Sequence, residues 1–177
     1  MTLDQFIDYI KQSSRENYLY HFTDEDNYES IIRHGILSTE KRQELGITPS
    51  YRGGNTISHR ADKRKQIEGY VCLCFTIYHE LFKNGNPNFS NQICLKIKPE
   101  ILLFDGAKFA DGVANATATT LTPISEALNA DLIDTKIIYE TVDLRYNREM
   151  RSRRHKAKKY EILVPDVVPP SMIRGKA

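Results

Sequence analysis

Tyr70-Val71-Cys72-Leu73-Cys74-Phe75-Thr76-Ile77-Tyr78 is the strongest strand signal in the chain. β-Branched and aromatic residues fill it, and such side chains suit a pleated, half-buried surface. Beyond it, residues 84–91 (NGNPNFSN) are turn-rich, and Gln92 to Ile97 follows as a second strand. There Ile93, Leu95 and Ile97 alternate with Cys94, Lys96 and Lys98, the pattern of one buried and one wet face. Upstream, Tyr18 to Phe22 (YLYHF) is a short aromatic strand, and far downstream Tyr160 to Val164 (YEILV) is the last one. Short helices lie between them in no regular rhythm. Leu3, Phe6, Ile7 and Ile10 fall on one face of an opening helix. Thr23-Asp24-Glu25-Asp26 supplies cap residues and acids for a second, with Gly35 just past its end where a left-handed cap is wanted. Ile36-Leu37 is extended, and Thr39 to Leu45 is a helix that stops at Gly46. Residues 46–57 read as loop, 58–68 as polar helix or loop, 105–120 as an aperiodic stretch too long to be idle, 121–128 as helix, and 136–142 as strand or helix. Without a βαβα alternation or an internal repeat, the fold class is α+β.

The chain has 177 residues, enough for one domain that hides roughly 70% of its unfolded surface. Hydrophobic residues at 40% and charged residues at 27% exclude wholesale disorder. No apolar run reaches the roughly 20 residues that span a bilayer, so no membrane role is expected. The opening MTLDQFIDYI has acids and no basic n-region, so a signal peptide is not expected either. Cys72, Cys74 and Cys94 form no CxxC pair and read as reduced core residues of a cytoplasmic protein, with no metal site.

The net charge of +2 conceals an asymmetry. Arg145, Arg148, Arg151, Arg153, Arg154, Lys156, Lys158 and Lys159 face a single acid, Glu149, a surplus of seven positive charges in one short segment. The rest of the chain is mildly acidic. Such a block fits a polyanionic partner such as nucleic acid, a solvated face, a protein partner or an anionic membrane.

Three groups of residues offer chemistry. His21, with Thr23 at the strand end and Asn27 beyond, sits on the early strand, where a lone His is most often a satisfied core residue. Glu161 alternates with Tyr160, Ile162 and Val164 and shares its face with Leu163, so it is expected to be at least partly buried. A carboxylate there needs a partner, for which the adjacent cations are candidates, or a task. His59 to Lys65 is cationic and by itself reads as solvated surface. The absence of GxGxxG, P-loop, HExxH and GxSxG removes the usual nucleotide-binding folds, motif-defined zinc proteases and serine hydrolases.

In chain order these pieces resemble the DarT family of ADP-ribosyltransferases, toxins that attach ADP-ribose from NAD to bases in single-stranded DNA. The matching residues are His21-Phe22-Thr23, Asn27, Gly35-Ile36-Leu37-Ser38, Ile57-Ser58-His59 to Lys65, Tyr70 to Thr76, Asp111-Gly112, and Glu161-Ile162-Leu163-Val164-Pro165 with Val168-Pro169. The sequence departs where the family often shows a Pro-Met-Leu-Tyr-like stretch; here it reads Tyr78-His79-Glu80-Leu81-Phe82. The resemblance implies an ADP-ribosyltransferase-like fold over residues 1–177, two small packed β-sheets forming a split NAD cleft with flanking short helices. It implies Glu161 as the catalytic carboxylate and Arg64 as the family's arginine, with Arg60 the alternative. His21, Thr23, Asn27, Gly35, Leu37 and Arg60 are the expected NAD-binding residues. The basic arm, about 143–160, becomes a substrate-recognition element in which Arg148, Arg151, Arg153 and Arg154 meet phosphates and Tyr146 stacks on a base. NAD is the expected co-substrate, single-stranded DNA the partner with RNA as the alternative, and a macrodomain-type antitoxin the inhibitor. Relatives differ in taking thymidine or guanine. RNA 2′-phosphotransferase and a non-catalytic nucleic-acid-binding module are the competing readings.

Overall fold

A computed structural model describes residues 1–54, 56–82 and 84–177. Asn55, within the expected loop 46–57, lies outside them. The chain begins with helix α1 (Leu3–Gln12), in which Thr2 and Gln5 exchange capping hydrogen bonds. Strand β1 (Leu19–Asp24) runs into a 3-10 turn (Glu25–Asn27) capped by the Asp24 carboxylate, then helix α2 (Tyr28–His34). Strand β2 (Ile36–Leu37), helix α3 (Thr39–Leu45), helix α4 (Thr56–Lys65) and strand β3 (Tyr70–Cys74) follow. Strand β4 (Gln92–Ile97) and a 3-10 segment (Pro99–Leu103) lead to strands β5 (Lys108–Ala110) and β6 (Leu121–Pro123). Helices α5 (Ile124–Asn129), α6 (Thr135–Tyr139) and α7 (Arg148–Ala157) precede strands β7 (Glu161–Pro165), β8 (Val167–Val168) and β9 (Ile173–Lys176).

Seven strands form one sheet in the order β6-β5-β7-β3-β1-β4-β9, and β2 pairs with β8 in a separate ribbon. Every pairing is antiparallel. The α+β class is as expected, but the strands divide as one broad sheet and a two-stranded ribbon rather than two comparable sheets. A split is nevertheless built into the broad sheet. β1 runs along β4 from Leu19 opposite Ile97 to Asp24 opposite Gln92, and β3 along β7 from Tyr70 opposite Pro165 to Cys74 opposite Glu161. Between β1 and β3 the only paired position among the described residues is Tyr20 opposite Cys74. The two halves of the sheet therefore part from that point, and the parting is where the site lies.

The main core lies on one face of the sheet. Phe6, Ile7 and Ile10 of α1 pack there with Leu19, Leu73, Leu95, Phe109, Ile162 and Val164 from five strands, joined by Ile124, Ile137 and Tyr139 from the later helices. Burying each large apolar side chain contributes about 1.5–3 kcal/mol before entropy is charged. The opposite face carries a smaller cluster of Ile67, Ala110, Ala114 and Leu163. Burial on both sides explains why β7 has no wet face and why Glu161 is enclosed.

Several local expectations are corrected. The Tyr70–Tyr78 run leaves the sheet after Cys74, because Thr76 turns away to donate to the buried Glu16 carboxylate at 2.6 Å while accepting from the Tyr78 amide. Residues 105–120 contain β5, and 121–128 is divided between β6 and α5. Short strands such as these take their pairing from β7 and from each other, not from an internal pattern. The Pro-rich close of the chain holds β8 and β9. Gly35 has φ +83° but ψ 178°, so it is not a left-handed helical cap. Its role is steric: a Cβ there would lie 2.5 Å from the Val168 carbonyl oxygen of the ribbon partner. Gly35→Ala is accordingly expected to destabilise by about 2 kcal/mol or more, combining an unfavourable φ with a backbone clash. Urea denaturation would check this, and an unchanged midpoint would contradict the packing. Among the described residues no helix is long and apolar enough to cross a membrane.

Candidate active site

A cavity of about 260 Å³ opens where β1 and β3 part. His21, Thr23, Asn27, Gly35, Leu37 and Glu161, six residues singled out from sequence, all line it. Its walls are apolar and aromatic, including Ile31, Ile47, Tyr51 and Phe89, with Phe22 and Phe82 stacked at 4.5 Å.

His21 projects from β1 into the gap left by the missing ladder. Its Nδ1 lies 3.1 Å from the Cys72 carbonyl oxygen on β3. A carbonyl can only accept, so Nδ1 carries the proton and Nε2 keeps its lone pair. Burial, reinforced by the nearby Arg42 charge and opposed by the Cys72 carbonyl, pushes its pKa down to about 4. His21 is therefore a neutral imidazole of fixed tautomer at physiological pH.

Asn27 organises the rim. Its Nδ2 donates to the Thr23 hydroxyl at 3.2 Å and to the Tyr51 carbonyl at 2.9 Å, and its Oδ1 accepts from the Tyr51 amide at 3.2 Å. Three bonds from one buried amide tie the loop before α4 to the end of β1. Thr23 is buried beneath it.

Glu161 begins β7, opposite Cys74 on one side and Ala110 on the other. It is 5% exposed. Its Oε2 accepts from the Ala114 amide at 2.7 Å, and its Oε1 is 3.6 Å from His79 Nε2. Burial pushes its pKa up to about 7, the Ala114 hydrogen bond opposing and the Asp62 carboxylate adding to the rise. None of the flanking lysines or arginines pairs with it among the described residues, so the ion-pair explanation of its burial fails. A carboxyl group that is half-ionised near neutrality can serve as a base.

The 111–120 segment proves to be the arm that delivers the Ala114 amide. It is pinned to α4 by Lys65, which donates to the Thr117 and Thr119 carbonyls, and by Asn115, which donates to Asp62. Helix α4 itself buries none of its side chains. Arg60 and Arg64 are both exposed on it, and neither lines the cavity. The guanidinium that does line it belongs to Arg42 on α3, half-buried and donating to the Thr39 hydroxyl at 3.0 Å. Burial, then the charge of Arg52, lowers its pKa. Arg42 was invisible in sequence, because TEKRQEL reads as a solvated helix; so were the Ala114 amide and His79, which belong to segments without periodicity.

The basic arm is helical as α7, with Asn147 capping the Met150 amide. Its cations divide. Arg148 and Arg151 are exposed, as is Tyr146 just before the cap, which is almost completely so. Arg153 instead makes a two-pronged contact with Asp134 at 2.7 and 2.9 Å. Arg154 turns inward, its Nε and one terminal nitrogen buried without a hydrogen-bond partner among the described residues, in a small cleft with Arg15, Thr76 and Lys158.

Comparisons with known proteins bear on this geometry. No curated protein matches the chain by sequence. Its shape is similar to Thermosipho africanus DarTG in complex with ADP-ribose (TM-score 0.62, 24% identity, covering 88% of this chain). The chain spans 42% of that protein's length. It is also similar to Thermus sp. 2.9 DarT in complex with NAD+ (TM-score 0.57, 16% identity, 92% of this chain and 81% of that one). The same Thermus protein in complex with ADP-ribosylated ssDNA gives a TM-score of 0.59 at 15% identity, over 92% and 82% of the two chains. These likenesses establish the fold. The model of one family, described as "ssDNA thymidine ADP-ribosyltransferase, DarT", matches residues 20–175. With nearly the whole chain matched, from the His21 strand through the Glu161 strand, this protein belongs to the DarT family.

Proposed function

We propose that the chain transfers ADP-ribose from NAD to a base in single-stranded DNA, with thymidine, named in the family's description, as the base. One observation carries the proposal: a buried carboxyl group poised near neutrality and a tautomer-fixed imidazole line the same cleft where the sheet parts. NAD supplies an activated glycosidic bond whose cleavage leaves positive charge on a ribose. Glu161 would accept a hydrogen bond from that ribose and stabilise the charge. It would also take the proton of the base nitrogen that forms the new bond, while nicotinamide leaves with the electron pair of the old one. His21, through its free Nε2 lone pair, would accept from a hydroxyl of the adenosine ribose. Arg42, the guanidinium that lines the cavity, would meet the pyrophosphate; Arg64 and Arg60, the arginines expected from the resemblance, lie outside that lining. Gly35, Leu37 and the Thr23–Asn27 pair would shape the adenylate end.

The exposed residues of the basic arm would hold the strand, Arg148 and Arg151 of α7 on phosphates and Tyr146, just before its cap, against a base. The Arg153 contact with Asp134 gives that residue a structural role first. Reversing charge at Arg148 and Arg151 together should weaken oligonucleotide binding and flatten its dependence on salt by about two counterions' worth. An unchanged slope would mean that α7 faces away from the strand. We further propose a macrodomain-type antitoxin as partner, a reading supported by the likeness to Thermosipho africanus DarTG. A cytoplasmic location is supported by three free cysteines.

The test is incubation of the protein with NAD and a panel of single-stranded DNA and RNA oligonucleotides, read by mass spectrometry. A gain of one ADP-ribose on thymidine-containing DNA is expected. Binding without NAD consumption would leave only a nucleic-acid-binding module, and modification confined to RNA would replace the substrate.

A further inference from the structure

The segment that leaves the sheet after Cys74 places His79 against Glu161, a residue that nothing above has used. His79 is fully buried, and its Nε2 has no hydrogen-bond partner among the described residues. That nitrogen lies 3.6 Å from Glu161 Oε1. The other ring nitrogen, Nδ1, accepts from the Leu81 amide at 3.3 Å. An acceptor Nδ1 has no proton, so the neutral ring carries its proton on Nε2, the atom that faces the carboxyl group. The Lys159 carbonyl is the other acceptor near that N–H, and of the two a carboxylate is the stronger.

We propose that His79 is a positioning residue for Glu161, its Nε2–H donating to Oε1 when the carboxyl ionises while the Ala114 amide holds Oε2. Two N–H groups from separate segments then fix both oxygens. The 3.6 Å separation is longer than a formed hydrogen bond and closes when the acceptor becomes charged. The role rests on the transfer reaction proposed above, in which ionised Glu161 is the working form.

A metal ion is the competing use of this cluster. Cys74 Sγ, His79 Nε2 and Glu161 Oε1 lie within 4.8 Å of one another. A metal-bound imidazole, however, donates through its second nitrogen. Here Nδ1 accepts from Leu81, which leaves Nε2 protonated and closed to a metal.

The groups around the pair set the direction of the effect. Asp62 from α4 disfavours the Glu161 charge, as does burial. Cys72 and Cys74 from β3 are held well above the usual thiol range by burial, then by Glu161, and stay neutral. Burial brings the His79 pKa down to about 4, against the Lys159 carbonyl and the Glu80 carboxylate, so the ring stays a neutral donor above that pH. His79 and the Ala114 amide are thus the groups that favour ionised Glu161, and losing His79 should raise the pKa of the acid.

The test is a pH titration of the Glu161 side-chain carboxyl by carbon-13 NMR in the parent, His79→Leu and His79→Gln. Glu161→Gln assigns the signal. The titration midpoint is expected to rise by about one pH unit in His79→Leu, and the acid limb of kcat to move with it. KM for NAD should change less than twofold. His79→Gln, which restores an N–H donor, should bring the midpoint back. A midpoint and kcat profile unmoved in His79→Leu would overturn the proposal. Should that variant fail to fold, nitrogen-15 spectra of the parent decide: the Nε2–H tautomer at pH 7 supports it, and the Nδ1–H tautomer overturns it. Inhibition by micromolar zinc chloride, lost on chelation and in His79→Gln, would give the cluster to a metal and also overturn it. The NMR readouts need no turnover. A parent that leaves NAD and DNA untouched would therefore defeat the transfer reading while leaving the His79–Glu161 contact to be judged separately.

Discussion

Glu161→Gln is expected to lower turnover by about a thousandfold or more while leaving the protein folded and able to bind NAD. The amide keeps the shape of the carboxyl group, but it cannot take a proton from the attacking base. Nor does it carry the negative charge that stabilises the cationic ribose. Loss of a positioned base costs about two to four orders of magnitude, and loss of preorganised electrostatic stabilisation costs a comparable factor. Both functions reside here in one side chain, so the effects fall together on kcat. The KM for NAD should move little, because the cavity walls and His21 lie outside the substitution. Single-turnover measurement of ADP-ribosyl DNA formation checks this. A variant within tenfold of the parent would remove Glu161 from the chemistry.

The second large effect is a trade between activity and stability across pH. Glu161 is held at a pKa of about 7, chiefly by burial, against an ordinary 4.5. Transfer that needs the ionised form should fall about tenfold per pH unit below neutrality and level off above it. Stability runs the other way. Between the two values the folded protein keeps a proton that the unfolded chain releases, so stability drops as pH rises through that window. Above pH 7 the full cost stands, about 3 kcal/mol. His21 and His79 contribute with the opposite sign. Each is lowered to about 4 by burial, so their contribution is present above the ordinary value of 6.5 and lost as pH falls toward 4. Glu161→Gln removes the first term and leaves the other two. The variant should thus be more stable than the parent at pH 8 by up to about 3 kcal/mol, and similar to it at pH 4. Urea denaturation at both values separates these cases. Equal stability at pH 8 would show that the carboxyl group is not held near neutrality.

Much of this site was legible because its key residues lie on strands with strong patterns. The alternation around Glu161 placed Ile162 and Val164 in the core and Glu161 with Leu163 on the opposite, also buried, face, and the structure has both. His21 is found at the cavity, not merely satisfied in the core, because the ladder partner it would have had on β3 has moved away. What sequence could not show is where chain segments without periodicity come to rest. The aperiodic stretch after Asp111 proved to supply the Ala114 amide, a backbone group with no sequence signature. Arg42 and the pair Arg60 and Arg64 look alike as residues on polar helices; only the packing of α3 against the parted strands distinguishes them. In sequence the cations of the basic arm are indistinguishable from one another. Asp134, far from it in any pattern, takes Arg153 out of that block and leaves Arg148 and Arg151 exposed.

A crystal structure of the protein soaked with NAD, or with a non-hydrolysable analogue, tests the central geometry most directly. The nicotinamide ribose is expected within hydrogen-bond distance of the Glu161 carboxyl group, and a hydroxyl of the adenosine ribose at His21 Nε2. A dinucleotide bound elsewhere, with those two side chains touching nothing of it, would contradict the account.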